Sequence, residues 1–191
     1  MEWINYALIV QIFVLLNPSS SFPFLMSAYK AKLDVKKIAY LSTITAFAIA
    51  VIIALIGPYM FDFFGITINS FRIAGGLVLL LLGLDTIRSK DKEEPSDTKG
   101  VSSLISIIAT PMLTGPATIS FITLKAVELG RTVILLNLIP AFIVVGAVFI
   151  TFSYMVPKIN INLVNISSRV LGLFLTAVAI EMIFAGIKGM V

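Results

Sequence analysis

Two apolar stretches of this chain are each broken by a pair of prolines at the same internal spacing. The first is Asn17-Pro18-Ser19-Ser20-Ser21-Phe22-Pro23 and the second is Thr110-Pro111-Met112-Leu113-Thr114-Gly115-Pro116. A proline removes a backbone donor and clashes with the preceding turn, so it breaks or kinks a helix that runs through it. The stretch from Trp3 to about Tyr29 would run about 40 Å as one helix, against a hydrocarbon core of about 30 Å. The excess predicts a membrane span with an extended break at Asn17–Phe22.

That these stretches lie in a bilayer follows from composition. Only 13% of the 191 residues are charged and 59% are apolar, whereas a soluble domain carries about 25% charged residues. The chain reads as a single transmembrane domain over 1–191, with repeat one at 1–88, a solvated cytoplasmic linker at 89–100 and repeat two at 101–191. Six spans are expected: 3–29, 38–56 ended by Gly57-Pro58, 66–87, 101–128, 131–155 and 163–189. Met1-Glu2-Trp3 lacks the basic start of a cleavable signal peptide. Cysteine and histidine are absent, which excludes disulfides and removes the commonest metal ligand and neutral-pH switch. No metal or other cofactor is called for. Without a nucleophile–base pair or close carboxylates, an enzyme is not expected either.

Loop charge predicts the orientation. With the N-terminus outside, the inner loops hold Lys30, Lys32, Lys36, Lys37, Arg88, Lys90, Lys92, Lys99 and Lys158, and the outer side only Lys125, Arg131 and Lys188. This asymmetry favours both termini outside a cytoplasmic (inner) membrane. It also accounts for the net charge of +4 without a nucleic-acid partner.

The halves repeat. Pro18, Ser21, Pro23, Ser27 and Lys32 match Pro111, Thr114, Pro116, Ser120 and Lys125 at an offset of 93; Arg72, Gly75 and Asp85 match Arg169, Gly172 and Glu181 with a small drift. Three spans per half is odd, so the second copy must enter from the opposite side. The expected fold class is an all-α membrane protein of two inverted three-helix repeats, with the first and fourth segments discontinuous.

Each proline should free the carbonyl four residues earlier: Val14, Ser19, Ile107 and Met112. Such carbonyls suit an ammonium, and a restarting helix presents N–H groups and a positive dipole end to a carboxylate. Ser21 and Thr114 stand where N-caps are expected. The candidate substrate-binding residues are Asn17, Ser19, Ser20, Ser21, Thr110, Met112, Leu113, Thr114 and Gly115. Both polarities without a buried formal charge match a small zwitterion, such as a neutral amino acid. Arg72, Arg169, Asp85 and Glu181 are candidate coupling or structural charges, with Glu181 the deeper carboxylate and the better proton carrier. Gly75, Gly76 and Gly172 read as sites of close helix packing. Thr43, Thr45 and Asn137 are further polar residues for a cavity.

Several blocks resemble the MarC family of bacterial and archaeal inner-membrane proteins. They are Asn17-Pro18 with Pro23, Phe64-Gly65-Ile66, Phe71-Arg72-Ile73-Ala74-Gly75-Gly76, Gly83-Leu84-Asp85, and Pro111 with Thr114-Gly115-Pro116-Ala117-Thr118-Ile119. One branch of that family carries glycine and alanine with proton coupling. The resemblance implies a secondary transporter for small neutral amino acids, coupled to protons with Na⁺ left open. A passive channel or exporter for another small polar solute is the alternative. The expected partners are the amino acid, the coupling ion and the lipid bilayer, and a homo-oligomer remains open.

Overall fold

The computed structural model describes residues 3–88, 101–156 and 161–190, without the side chains of residues 62, 103, 107, 110–112, 161 and 162. The predicted linker 89–100 and the turn at Pro157-Lys158 lie outside the described residues, as do the side chains of Thr110 and Met112. Among the described residues every regular element is helical: α1 (Tyr6–Leu16), a 3₁₀ turn (Pro18–Ser21), α2 (Phe22–Lys30), α3 (Val35–Phe64), α4 (Ile68–Arg88), α5 (Val101–Ile107), a π turn (Ile108–Leu113), α6 (Pro116–Leu129), α7 (Arg131–Met155) and α8 (Ile161–Lys188).

Five helical stretches are long and apolar enough to cross a bilayer: Tyr6–Lys30, Val35–Phe61, Ile68–Arg88, Arg131–Met155 and Leu163–Lys188. The chain is a multi-pass integral membrane protein. The stretch from Val101 to Leu129 is divided, and neither α5 with 7 residues nor α6 with 14 is long enough to span alone. One expectation fails at Gly57-Pro58, which does not end the second span: α3 runs through it to Phe64. A membrane helix tolerates an interior proline because packed neighbours hold it. Here Thr123 of α6 sits directly against Gly57, where a Cβ would collide with its hydroxyl.

The first segment is the most enclosed of the five, with 61% of its central window buried against 28% to 39% for the others. On α6, Ala117, Thr118, Phe121, Ile122, Thr123, Leu124 and Ala126 are buried, while Ile119 and Val127 are exposed. The first segment and the buried side of α6 therefore supply much of the core of the bundle.

Outside them, α4 and α8 make the closest helix pair. Small residues recur every seven positions on both: Gly76 and Gly83 follow Asn69 on α4, and Gly172, Ala179 and Gly186 lie on α8. A Cβ on Gly83 would stand 3.0 Å from the Gly172 carbonyl oxygen, one on Gly76 2.9 Å from that of Ala179, and one on Gly186 2.9 Å from that of Asn69. The pairing is antiparallel in strict register. Lipid tails are as apolar as leucine, so helices associate here through backbone approach, which small residues allow. Gly75, on the next face, packs against Ser120 of α6, where a Cβ would lie 2.9 Å from the serine Cβ. The packing role read for Gly75, Gly76 and Gly172 is what the structure has.

Asn137 on α7 is completely buried but does not face a cavity. Its Oδ1 accepts from the Asn5 N–H at 2.8 Å, and its Nδ2 donates to the carbonyls of Trp3 at 2.9 Å and Val133 at 2.8 Å. It pins the chain where α1 begins. Thr43 donates to the Ala39 carbonyl at 2.8 Å and lines a shallow apolar cleft with Phe47 and Phe142.

Candidate functional site

The first break is a 3₁₀ turn behind a left-handed Asn17, not the extended stretch expected. α1 stops because Asn17 takes the left-handed conformation, with φ 38° and ψ 63°, and Pro18 follows it. The Asn17 N–H reaches the carbonyls of Phe13 and Val14, both at 3.2 Å. The Asn17 carbonyl in turn accepts the Ser20 N–H at 3.0 Å and the Ser20 hydroxyl at 2.8 Å. The Phe22 N–H donates to the Ser19 carbonyl as α2 begins. Val14 and Ser19 were expected to offer free carbonyls; the tight 3₁₀ geometry supplies both with donors from nearby along the chain.

The second break is built differently. The Thr114 N–H bonds to the Ala109 carbonyl at 3.1 Å, five residues back, which is the wide turn of a π-helix. The Thr114 hydroxyl donates to the same carbonyl at 2.6 Å, and the Thr118 hydroxyl to the Leu113 carbonyl at 2.9 Å. Gly115 is extended, with φ −73° and ψ 179°, and α6 starts at Pro116. Ser21 holds the N-cap position of α2 as expected, but its side chain makes no capping bond; at α6 the cap position belongs to Gly115 and not to Thr114. The reason is geometric. Ser21 is already in the αR conformation, and the Thr114 hydroxyl is engaged behind it.

The two breaks meet. The 3₁₀ turn packs on the π turn, α1 also touches the π turn, and α2 touches α5. Asn17, Ser19, Ser21, Leu113, Thr114 and Gly115 are buried there, and Ser20 is half-buried. Among the described residues, the Oδ1 of Asn17 and the Oγ of Ser21 are buried without a hydrogen-bond partner, as is the Oγ of Ser42 on α3. A buried oxygen left so costs about 1–3 kcal/mol.

Beside the first break is a cavity of about 40 Å³ lined by Ser19, Ser20, Pro23, Thr86, Asn165 and Ser168. It has room for water and is too small for a larger solute. Thr86, Asn165 and Ser168 come from α4 and α8; only proximity in space reveals them, since neither motif nor spacing singles them out.

The four candidate charges separate. Arg72 joins Glu128 of α6, with its Nε at 2.8 Å and its Nη2 at 2.6 Å from Oε1, while its Nη1 donates to Asn69 at 2.8 Å. Lys125 closes on the other oxygen, Oε2, at 2.7 Å. Glu128 and Lys125 had no place among the candidates, although their i,i+3 spacing was a readable signal. Glu181 lines the same opening as this cluster, a space of about 510 Å³. Arg169 and Asp85 are exposed and line neither this opening nor the cavity at the first break.

The family described as MarC family integral membrane protein matches residues 3–191 of this sequence. The chain belongs to the MarC family. Among its MarC-family relatives, the UPF0056 membrane protein MJ0972 of Methanocaldococcus jannaschii is 27% identical, over 100% of this chain and 90% of that one. A second protein of that organism, UPF0056 membrane protein MJ1677, is 30% identical over 93% of each chain. UPF0056 membrane protein YhcE of Escherichia coli is 27% identical, over 97% of this chain and 93% of its own. No solved structure matches this MarC-family chain.

Proposed function

We propose that the protein is a secondary transporter of small neutral amino acids, glycine and alanine foremost, working by alternating access and driven by protons. The observation that carries this reading is the contact between two interrupted helices, with Asn17 Oδ1 and Ser21 Oγ buried beside it and without a hydrogen-bond partner among the described residues. Discontinuous helices meeting inside a bundle are how many carriers place polar backbone in a membrane. The orphan oxygens suit an ammonium. The start of α6, whose first N–H groups lack a side-chain cap, suits a carboxylate. The small space beside the first break, about 40 Å³, supports a carrier over a continuous open pore at that point.

The inverted repeat belongs to the same reading, and the α4–α8 pair supports it. At the offset of 96 that relates Asp85 to Glu181, Gly76 and Gly83 correspond to Gly172 and Ala179, one position away from the match of Gly75 with Gly172 read from the sequence. Gly76 faces Ala179 and Gly83 faces Gly172. Each residue thus meets the counterpart of the other, the reciprocity that a two-fold axis imposes. Lys30, Lys32, Lys36 and Lys37, at the junction of α2 and α3, support a cytoplasmic position for that junction and outer positions for both termini.

The test is uptake of labelled glycine into proteoliposomes, with and without an inward proton gradient. Accumulation above equilibrium only with the gradient is the expected result. Equal, merely equilibrating uptake in both would make the protein a passive channel, and no uptake of any neutral amino acid would end the proposal.

A further inference from the structure

We propose that the opening between α4, α6 and α8 is a capture site for a zwitterion ahead of the breaks, with Arg72 and Lys125 taking its carboxylate and Glu181 its ammonium. The inference rests on the substrate class proposed above and adds a second, outer binding site to it. By topology the opening lies at the end of the bundle where α3 gives way to α4, opposite the basic loop between α2 and α3. Its volume of about 510 Å³ falls in the range of small-molecule sites, roughly 300–1,000 Å³, unlike the water-sized space at the first break.

Its lining carries both signs in an unequal state of engagement. Both oxygens of Glu128 are taken, one by Arg72 and one by Lys125. Arg72 spends three of its five N–H groups on Glu128 and Asn69, and Lys125 one of its three on Glu128, so donors remain on both. Glu181 has no hydrogen bond or ion pair among the described residues, although it lines the same space. The opening therefore offers spare cationic donors on one side and an unspent carboxylate on the other. A free amino acid satisfies both at once. A simple anion or a simple amine satisfies only one and leaves the other charge facing a low-dielectric wall. Ile68, Leu124, Met182 and Ala185 complete the lining with apolar side chains.

An aminophospholipid headgroup also pairs an ammonium with an anionic oxygen, so the experiment separates the two sources. Initial rates of labelled glycine uptake are measured against concentration in vesicles with and without phosphatidylethanolamine, for the wild type, Glu181→Gln, Glu181→Asp and Ala185→Leu. Loss of one charge-assisted contact is expected to raise KM about tenfold in Glu181→Gln. Glu181→Asp should recover most of the affinity, and Ala185→Leu, which fills the opening without touching a charge, should also raise KM. An unchanged KM in Glu181→Gln and Ala185→Leu would overturn the capture site while leaving the transporter reading intact. A KM shift seen only with phosphatidylethanolamine would assign the opening to lipid and overturn it too. Absence of wild-type uptake would overturn both readings.

Discussion

The two breaks carry the same proline spacing and settle their hydrogen bonds in opposite ways. At the first, the backbone looks after itself: a left-handed Asn17 and a 3₁₀ turn occupy the carbonyls of Val14, Asn17 and Ser19. The side chains are what is left over, with Asn17 Oδ1 and Ser21 Oγ buried and without a partner among the described residues. At the second, the π turn widens the backbone and the side chains repair it, through the hydroxyls of Thr114 and Thr118. Matching sequence thus yields a 3₁₀ turn with unspent polar atoms packed on a π turn whose polar atoms hold it together. In the proposed transporter, the first break supplies ligand contacts and the second supplies shape and the N-terminus of α6.

That division can be broken by substitution. The largest effect is expected at Asn17→Gly. Glycine keeps the left-handed backbone and removes the orphan oxygen. Glycine uptake at low substrate should fall tenfold or more, while thermal unfolding in detergent stays within about 1 kcal/mol of the wild type. A fall in stability with transport retained would reverse the assignment. Next is Ser21→Ala, where deleting an unpaired buried hydroxyl should leave stability equal or up to about 1 kcal/mol higher. Uptake should drop severalfold, and an unaltered KM would remove Ser21 from the site. Smaller still in transport is the pair Thr114→Val and Thr118→Val. Each loses a buried hydrogen bond and should cost about 1 kcal/mol of stability. KM should move less than about threefold; a larger rise in KM than at Ser21→Ala would show that the second break, not the first, holds the ligand.

Much of this architecture was legible because it depends on local composition. Long apolar runs require helices in a bilayer, where every backbone group must be satisfied within its own segment. Prolines at Pro18, Pro23, Pro111 and Pro116 mark the interruptions for the same local reason. Pro58 shows the limit of that logic. It carries the same covalent handicap, yet α3 continues through it because α6 packs against Gly57. Asn137 is a second case. Its polarity and membrane depth suggested a cavity, whereas its partners are Trp3 and Asn5, more than 130 positions away in the chain. Arg72 is a third, since its partner Glu128 sits 56 positions on.

From sequence alone came the membrane class, the positions of the helical segments, the two interruptions and the glycines that let α4 and α8 approach. Each of these is a property of a short window, fixed by covalent geometry and by transfer out of water. Tertiary structure decided which carbonyls stay open, whether a proline ends its helix, which carboxylate answers Arg72, and that the two breaks touch. Those outcomes depend on which donors arrive from distant segments, and a hydrogen bond is satisfied by whatever lies within 3 Å, not by what lies nearby in the chain.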